Sequence, residues 1–273
     1  MKVLGVKVRV LGVGFDPVSP EDAFSLALRW LGEGGGLHLV VTANPETVMK
    51  AQRLPDLARA IERADLVVAD GVGVVWASRR LGRPLPGRVA GIELAERLLE
   101  HCAGTGQPVF LLGGRPASPG QPALAGRLAS AGRRAAAGRP AVAEAAAGAL
   151  ARRWPGLRVC GTWHGYFTRE DEPAVLQALS AARPVLLLCG MGSPRQELWL
   201  ARHAAFLQEC GVRVAIGVGG ALDVWSGDVG RAPPLLRWAG LEWLWRLGQN
   251  PRRLGRQLQL VTFVLEVLRH GDN

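Results

Sequence analysis

Short apolar runs recur along this chain at Leu37 to Val41, Leu66 to Ala69, Pro108 to Leu112, Leu157 to Cys160, Val185 to Cys189 and Val212 to Ile216, with helical stretches between them. Runs this short and this continuously apolar read as strands buried on both faces, and their alternation with helices predicts α/β architecture. The expected fold is a Rossmann-like, doubly wound, mostly parallel sheet. Ser19-Pro20 opens a capped helix that runs to Gly32, Asn44-Pro45 starts another, and further helices are expected at Ile92 to Ala103, Pro173 to Ala182 and Glu197 to Gln208. Ala141 to Trp154 reads as a plain surface helix. Met1 to Leu11 alternates valine with basic residues, a strand pattern rather than a secretion signal, which places the protein in the cytoplasm.

Open parallel sheets bind ligands beyond the carboxyl ends of their strands. Two predicted strands release polar residues there, Thr42 and Asn44 in Thr42-Ala-Asn-Pro-Glu46 and Asp70 in Ala69-Asp-Gly71. Asp70 is the first candidate for chemistry. Local structure competes for the same residues, since Asn44 before Pro45 is a helix cap and Asp70-Gly71 a turn dipeptide. A second constellation, Gly190-Met-Gly-Ser-Pro-Arg-Gln-Glu197, follows the run ending at Cys189. Gly190 and Gly192 would let backbone approach a diphosphate, and Gln196, in the first turn of the next helix, can both donate to and accept from a sugar hydroxyl.

Known nucleotide fingerprints fail. Gly71-Val-Gly73, Gly190-Met-Gly192 and Gly217-Val-Gly219 each lack the last glycine of a dinucleotide motif, and no phosphate-loop motif occurs. That argues against a dehydrogenase or methyltransferase on this fold. The cysteines Cys102, Cys160, Cys189 and Cys210 and the histidines show no metal-ligand spacing, so no bound metal and no cofactor is expected.

A net charge of +10 raises nucleic acid or an anionic membrane as partner. Lysine occurs only at Lys2, Lys7 and Lys50, so the charge is nearly all arginine, and it comes with no RNA-recognition, zinc-finger or helix-turn-helix pattern. An arginine-rich nucleic-acid binder remains the alternative from a different functional class. No run reaches the roughly 18 apolar residues of a membrane span. From Arg231 onward, however, Trp238, Trp243 and Trp245 interleave with Arg237 and Arg246, a composition for the headgroup zone. Leu258, Val261, Leu265 and Leu268 read as the apolar face of a helix that packs on the core or on a second copy of the chain, which would make a homo-oligomer.

The order and spacing of these segments resemble the WecG/TagA/CpsF family of bacterial glycosyltransferases. The resemblance runs from about Leu37 to Arg256 and also includes Arg88-Val-Ala-Gly91, Gly113-Gly114, Pro155-Gly156 and His164-Gly-Tyr-Phe167. It implies an inverting, metal-independent transfer of N-acetylmannosamine, or a related sugar such as its uronic acid or glucose, from UDP. The implied acceptor is N-acetylglucosamine on undecaprenyl diphosphate, at the inner face of the cell membrane, for teichoic acid or a related surface polysaccharide. By the same resemblance Asp70 is the general base, Thr42, Asn44, Arg88 and Gln196 bind substrate, and Gly190, Gly192, Arg246, Arg253 and Arg256 meet the nucleotide diphosphate. The implied organisation is a catalytic domain over residues 1–230 and a basic, tryptophan-rich helical appendage over 231–273. Glu93, Arg195 and Trp245 depart from the family pattern, which has aspartate, lysine and tyrosine there. The absence of any Asp-x-Asp, the usual metal clamp of nucleotide-sugar enzymes, fits arginine in place of metal.

Overall fold

A computed structural model describes residues 5–117, 140–233, 245 and 254–271. Its elements are β1 (Val8–Val10), β2 (Val13–Phe15), α1 (Pro20–Gly32), β3 (His38–Ala43), α2 (Pro45–Arg53), α3 (Pro55–Glu62), β4 (Leu66–Ala69), α4 (Val72–Arg80), α5 (Gly91–Thr105), β5 (Val109–Gly113), α6 (Val142–Arg153), β6 (Val159–Trp163), α7 (Glu172–Ala182), β7 (Leu186–Gly190), α8 (Arg195–Arg202), α9 (Ala204–Glu209), β8 (Val214–Gly217), α10 (Ala221–Trp225) and α11 (Leu254–Gly271). The central sheet has six strands in the order β4-β3-β8-β7-β5-β6. All six were legible as apolar runs, and β4, β5, β7 and β8 are buried throughout or nearly so, as a sheet covered on both faces requires.

The N-terminal strand is shorter than the alternation predicted and belongs to a hairpin. Leu11 and Gly12 both have positive φ, the turn that matches strand twist, and β2 returns antiparallel to β1 with Val10 opposite Val13. The predicted cap of α1 is present as a reciprocal pair, in which the Ser19 hydroxyl accepts from the Asp22 N–H while the Asp22 carboxylate accepts from Ser19. The single helix expected over Glu197 to Gln208 is instead α8 and α9. It breaks at His203, whose ring meets the Glu172 carboxylate at 3.1 Å rather than continuing the helical face. Helix α6 is no plain surface helix either, because Val142, Ala143, Ala146 and Leu150 are buried.

The chain clusters into two compact units, one of Met1–Leu26, Val40–Leu94 and Gly230–Asn273, the other of Ala27–Leu39 and Ala95–Val229. In the first, β3 and β4 run parallel with Thr42 beside Val68 and Ala43 beside Ala69, and α11 packs on α2 and α4. The face of α11 expected to pack is not the one that packs on the core. Phe263 and Val267 are fully buried, whereas Val261, Leu265 and Leu268 are 58%, 51% and 38% exposed. The helix carries two apolar stripes, and periodicity alone does not say which of them docks. The side chain of Leu258 lies outside the described residues.

In the second unit β6, β5, β7 and β8 are successive parallel neighbours, over a core that includes Phe110, Leu112, Leu187 and Leu207. Cys102, Cys189 and Cys210 are buried free thiols, and Cys160 is half-buried. Burial pushes the Cys102 thiol up to about 12 and Cys160 to about 11, so both remain protonated and unreactive near neutrality.

Candidate active site

The carboxyl ends of β3 and β4 hold one group of predicted residues. Ala43 and Ala69 end paired strands, and the Asp70 N–H extends the ladder by donating to the Ala43 carbonyl at 2.9 Å. Gly71, with φ of +145°, turns the chain sharply into α4 and leaves the Asp70 side chain partly exposed at 31%. The loop before α5 comes back to the same point, where the Val89 N–H donates to the Ala69 carbonyl at 2.9 Å. That bond brings Arg88, 24% exposed, to 3.8 Å from the Asp70 carboxylate. The result is a half-open ion pair at a strand end, accessible to solvent and to a ligand.

Thr42 and Asn44 flank this pair in sequence, and their roles differ. Asn44 caps α2 as its sequence allows, with Oδ1 accepting from the Thr47 N–H at 2.9 Å and from the Thr47 hydroxyl at 3.1 Å. Only its amide NH2 is left over from the cap to face a substrate. Thr42 is 8% exposed and sits against the start of α5, where a Cβ on Gly91 would lie 2.9 Å from the Thr42 hydroxyl oxygen. Gly91 therefore lets α5 begin directly on the strand end.

The second group surrounds the ends of β5, β7 and β8. Glycines replace side chains where these strand ends converge. The Gly114 N–H donates to the Gly190 carbonyl at 3.2 Å, and a Cβ on Gly113 would fall 2.4 Å from that oxygen. Gly192, at φ +76°, forms the turn, the Ser193–Pro194 peptide is cis, and α8 begins at Arg195. Gln196 is in the first turn of α8 as expected. It is 3% exposed, and its Oε1 accepts from the Gly192 N–H at 3.2 Å and the Gly219 N–H at 3.1 Å. Its Nε2 donates to Glu197 Oε1 at 2.9 Å, which fixes the orientation of the amide. Gln196 thus ties the loop after β7 to the loop after β8, and the Gly192 N–H is committed to it.

Arg246 and Arg253 lie outside the described residues, as does the side chain of Arg256, whose backbone is part of α11. Two of the departures from the family pattern do have structural partners. Glu93 receives the Arg231 guanidinium at 3.3 Å, and the Trp245 indole donates to the Gly230 carbonyl at 3.1 Å. Glu197 and His164 stand within segments that the sequence singles out, but the sequence reading gave neither a role in the chemistry. Glu197 is 4% exposed and follows Gln196 directly, a position that an acidic residue in a helical first turn does not distinguish from ordinary dipole matching. His164 directly follows β6 and opens the loop after it, where its Nδ1 accepts from the Tyr166 N–H at 3.2 Å. Partial burial lowers its pKa below 6.5, against the opposing influence of Asp171 and Glu144. Among the described residues, no group of three or more His, Cys, Asp and Glu is arranged to hold a metal ion.

A family model described as the glycosyl transferase WecG/TagA/CpsF family matches residues 8–128 and 121–272. Curated relatives named N-acetylglucosaminyldiphosphoundecaprenol N-acetyl-beta-D-mannosaminyltransferase, from Staphylococcus aureus strains MRSA252 and MW2, are 32% identical over 262 residues, covering 96% of this chain and 92% of each relative. The relative from strain NCTC 8325 is similar over the same span at the same identity. Strand ends carrying Asp70 with Arg88, the glycine-lined ends of β5 and β7, and similarity over nearly the whole chain lead to one assignment: this protein belongs to the WecG/TagA/CpsF family of glycosyltransferases.

Proposed function

We propose that this enzyme transfers N-acetylmannosamine from UDP-N-acetylmannosamine to the N-acetylglucosamine of an undecaprenyl-diphosphate-linked acceptor, forming a β-1,4 linkage for teichoic acid or a related surface polymer. The observation that carries the reading is the Asp70–Arg88 pair at the end of β4, 3.8 Å apart and partly exposed, with Thr42 and Asn44 on the neighbouring strand end. Asp70 takes the proton of the acceptor hydroxyl as that oxygen bonds the anomeric carbon of the donor. The bond from that carbon to UDP breaks on the opposite face, which inverts the configuration. Arg88 holds the carboxylate in place and offers its fork to the acceptor or the donor sugar. The leaving diphosphate is neutralised by arginine rather than metal, with Arg246, Arg253 and Arg256 of the C-terminal stretch in that role. Gly190 and Gly192 allow close approach of the nucleotide diphosphate, while Gln196 keeps their loop in register.

The acceptor's lipid places the reaction at the membrane. In this reading the protein is peripheral on the cytoplasmic face, held by basic and apolar residues of the segment 231–273, which acts as an appendage to a catalytic domain of residues 1–230. No described helix is long and apolar enough to cross a membrane.

The test is transfer from a panel of UDP-sugars to a short-lipid N-acetylglucosamine diphosphate, with EDTA present. Disaccharide from UDP-N-acetylmannosamine is expected to survive EDTA and to fall by about 100-fold or more in Asp70→Asn, the loss of a general base. Product from UDP-glucose or the uronic acid donor alone would reassign the donor. A rate unchanged in Asp70→Asn would remove the proposed base.

A further inference from the structure

Helix α4 begins two residues after Asp70, and its surface divides into two faces. Val74, Val75 and Ala77 are 8% exposed or less and face the core, whereas Val72 and Trp76 stand 46% and 39% exposed. The two exposed residues are four apart and share one face of the helix.

Gly73 decides what lies next to that face. A Cβ there would fall 2.9 Å from Pro45 Cγ, 3.8 Å from Leu260 Cδ1 and 3.9 Å from Phe263 Cε1. The missing side chain lets the start of α2 and the helix α11 close on the first turn of α4. Leu260 leads a row on α11 that continues at four-residue spacing through Val264 to Leu268. Asp70, Arg88, α2, α4 and α11 all belong to the first unit.

Along this edge the surface is charged, then apolar. Arg88 lies 3.8 Å from the Asp70 carboxylate at the strand end, and the apolar ridge of α4 starts immediately beyond. Two residues of chain reach at most about 7 Å and four residues of helix rise about 6 Å, so Trp76 stands within about 13 Å of Asp70. An acceptor whose hydroxyl meets Asp70 carries one sugar ring and a diphosphate before its lipid begins. That spacing sets the lipid beside the first turns of α4, with the anionic diphosphate toward Arg88. Tryptophan offers such a chain a broad, rigid apolar face.

We propose that Val72 and Trp76, with Leu260 of α11 beside them, carry the first isoprene units of the acceptor's polyprenyl chain. The assignment rests on reading the acceptor as lipid-linked. It is tested by titrating the full chain, without vesicles, with N-acetylglucosaminyl diphosphofarnesol and with the counterpart that has an ethyl group in place of the farnesyl chain. Calorimetry follows binding in the wild type, in Trp76→Gln and in a Val72→Gln/Trp76→Gln double variant. Glutamine keeps good helix propensity at these exposed positions, so both variants are expected to hold the wild-type melting temperature, and a melt checks this.

The wild type should bind the farnesyl compound about tenfold or more tighter than the ethyl one, the gain from burying about two carbon units of the chain. In the double variant that ratio should fall to about twofold or less, with Trp76→Gln between the two. A wild-type ratio retained in the double variant overturns the proposal, and so does equal binding of the two compounds by the wild type. Two further measurements identify other occupants. A retained ratio with weaker flotation on phosphatidylglycerol vesicles would assign the ridge to the bilayer, and a retained ratio with a smaller mass by light scattering would assign it to a second copy of the chain. These readouts need no turnover. Absent transfer with a lipid preference that depends on Val72 and Trp76 therefore counts against the functional reading alone, while intact transfer with a preference independent of them counts against this inference alone.

Discussion

At the scale of single residues, Gln196 shows how a side chain read for substrate chemistry is also tied into the surrounding structure. Its carbonyl oxygen serves two backbone donors and its amide serves Glu197, in a pocket where a Cβ on Gly217 would lie 2.6 Å from Nε2. Gly217→Ala should therefore displace the Gln196 amide and cost about 1–3 kcal/mol, the usual range for overpacking. Thermal denaturation reads the stability and the KM for UDP-sugar reads the loop. A wild-type KM and melting temperature would mean that the glutamine has room to move. His164 gives a separate expectation. Its pKa in the folded protein is below 6.5, so the unfolded chain binds the extra proton first as pH falls. The contribution from His164 is complete above about pH 6.5 and is lost as pH falls through the folded value, which predicts a shallower acid destabilisation in His164→Gln. Melting temperatures at about pH 7.5 and pH 5.5 measure it, and parallel acid slopes in the two proteins would contradict it.

At the scale of elements, continuous apolar runs announced the strands because a sheet covered on both faces leaves them no polar side. The caps of α1 and α2 were legible because Ser19 and Asn44 act within three residues of themselves. What was not legible depends on partners far away in sequence. The break between α8 and α9 at His203 turns on Glu172, and the strand-end glycines matter through the backbone of other strands. The candidate site divides in the same way. Thr42, Asn44 and Asp70 could be placed from strand ends alone, whereas the pairing of Arg88 with Asp70 needs the Val89–Ala69 hydrogen bond that returns the loop. Helix α11 exposed the limit of periodicity, since two apolar stripes compete and the packed one is Phe263 with Val267. Phe263→Ala should cost about 3–5 kcal/mol, as for a fully buried aromatic, whereas Leu265→Ala, on the exposed stripe, should stay within about 0.5 kcal/mol. Chemical denaturation of the two variants compares them, and equal losses would place both stripes in the core.

At the scale of the whole molecule, charge and apolar exposure bear on how the chain would meet the lipid-linked acceptor proposed for it. The net charge of +10 acts over a distance that salt shortens, about 10 Å at 0.1 M, so attraction to an anionic surface weakens as ionic strength rises. The stripe of Val261, Leu265 and Leu268 adds apolar area that salt does not screen. Deleting the C-terminal segment would confound the two effects with folding, because Phe263 and Val267 would leave the packing of α11 on α2 and α4. Changing Val261, Leu265 and Leu268 together to serine leaves that packing face intact and removes only the exposed one. Flotation with vesicles containing phosphatidylglycerol should then show wild-type binding that declines with salt to a residual level. The triple variant should lose that salt-resistant residue and keep its melting temperature. Equal binding by the two proteins at high salt would show that the exposed stripe adds nothing to the surface contact and return it to the choice between a second copy of the chain and no partner.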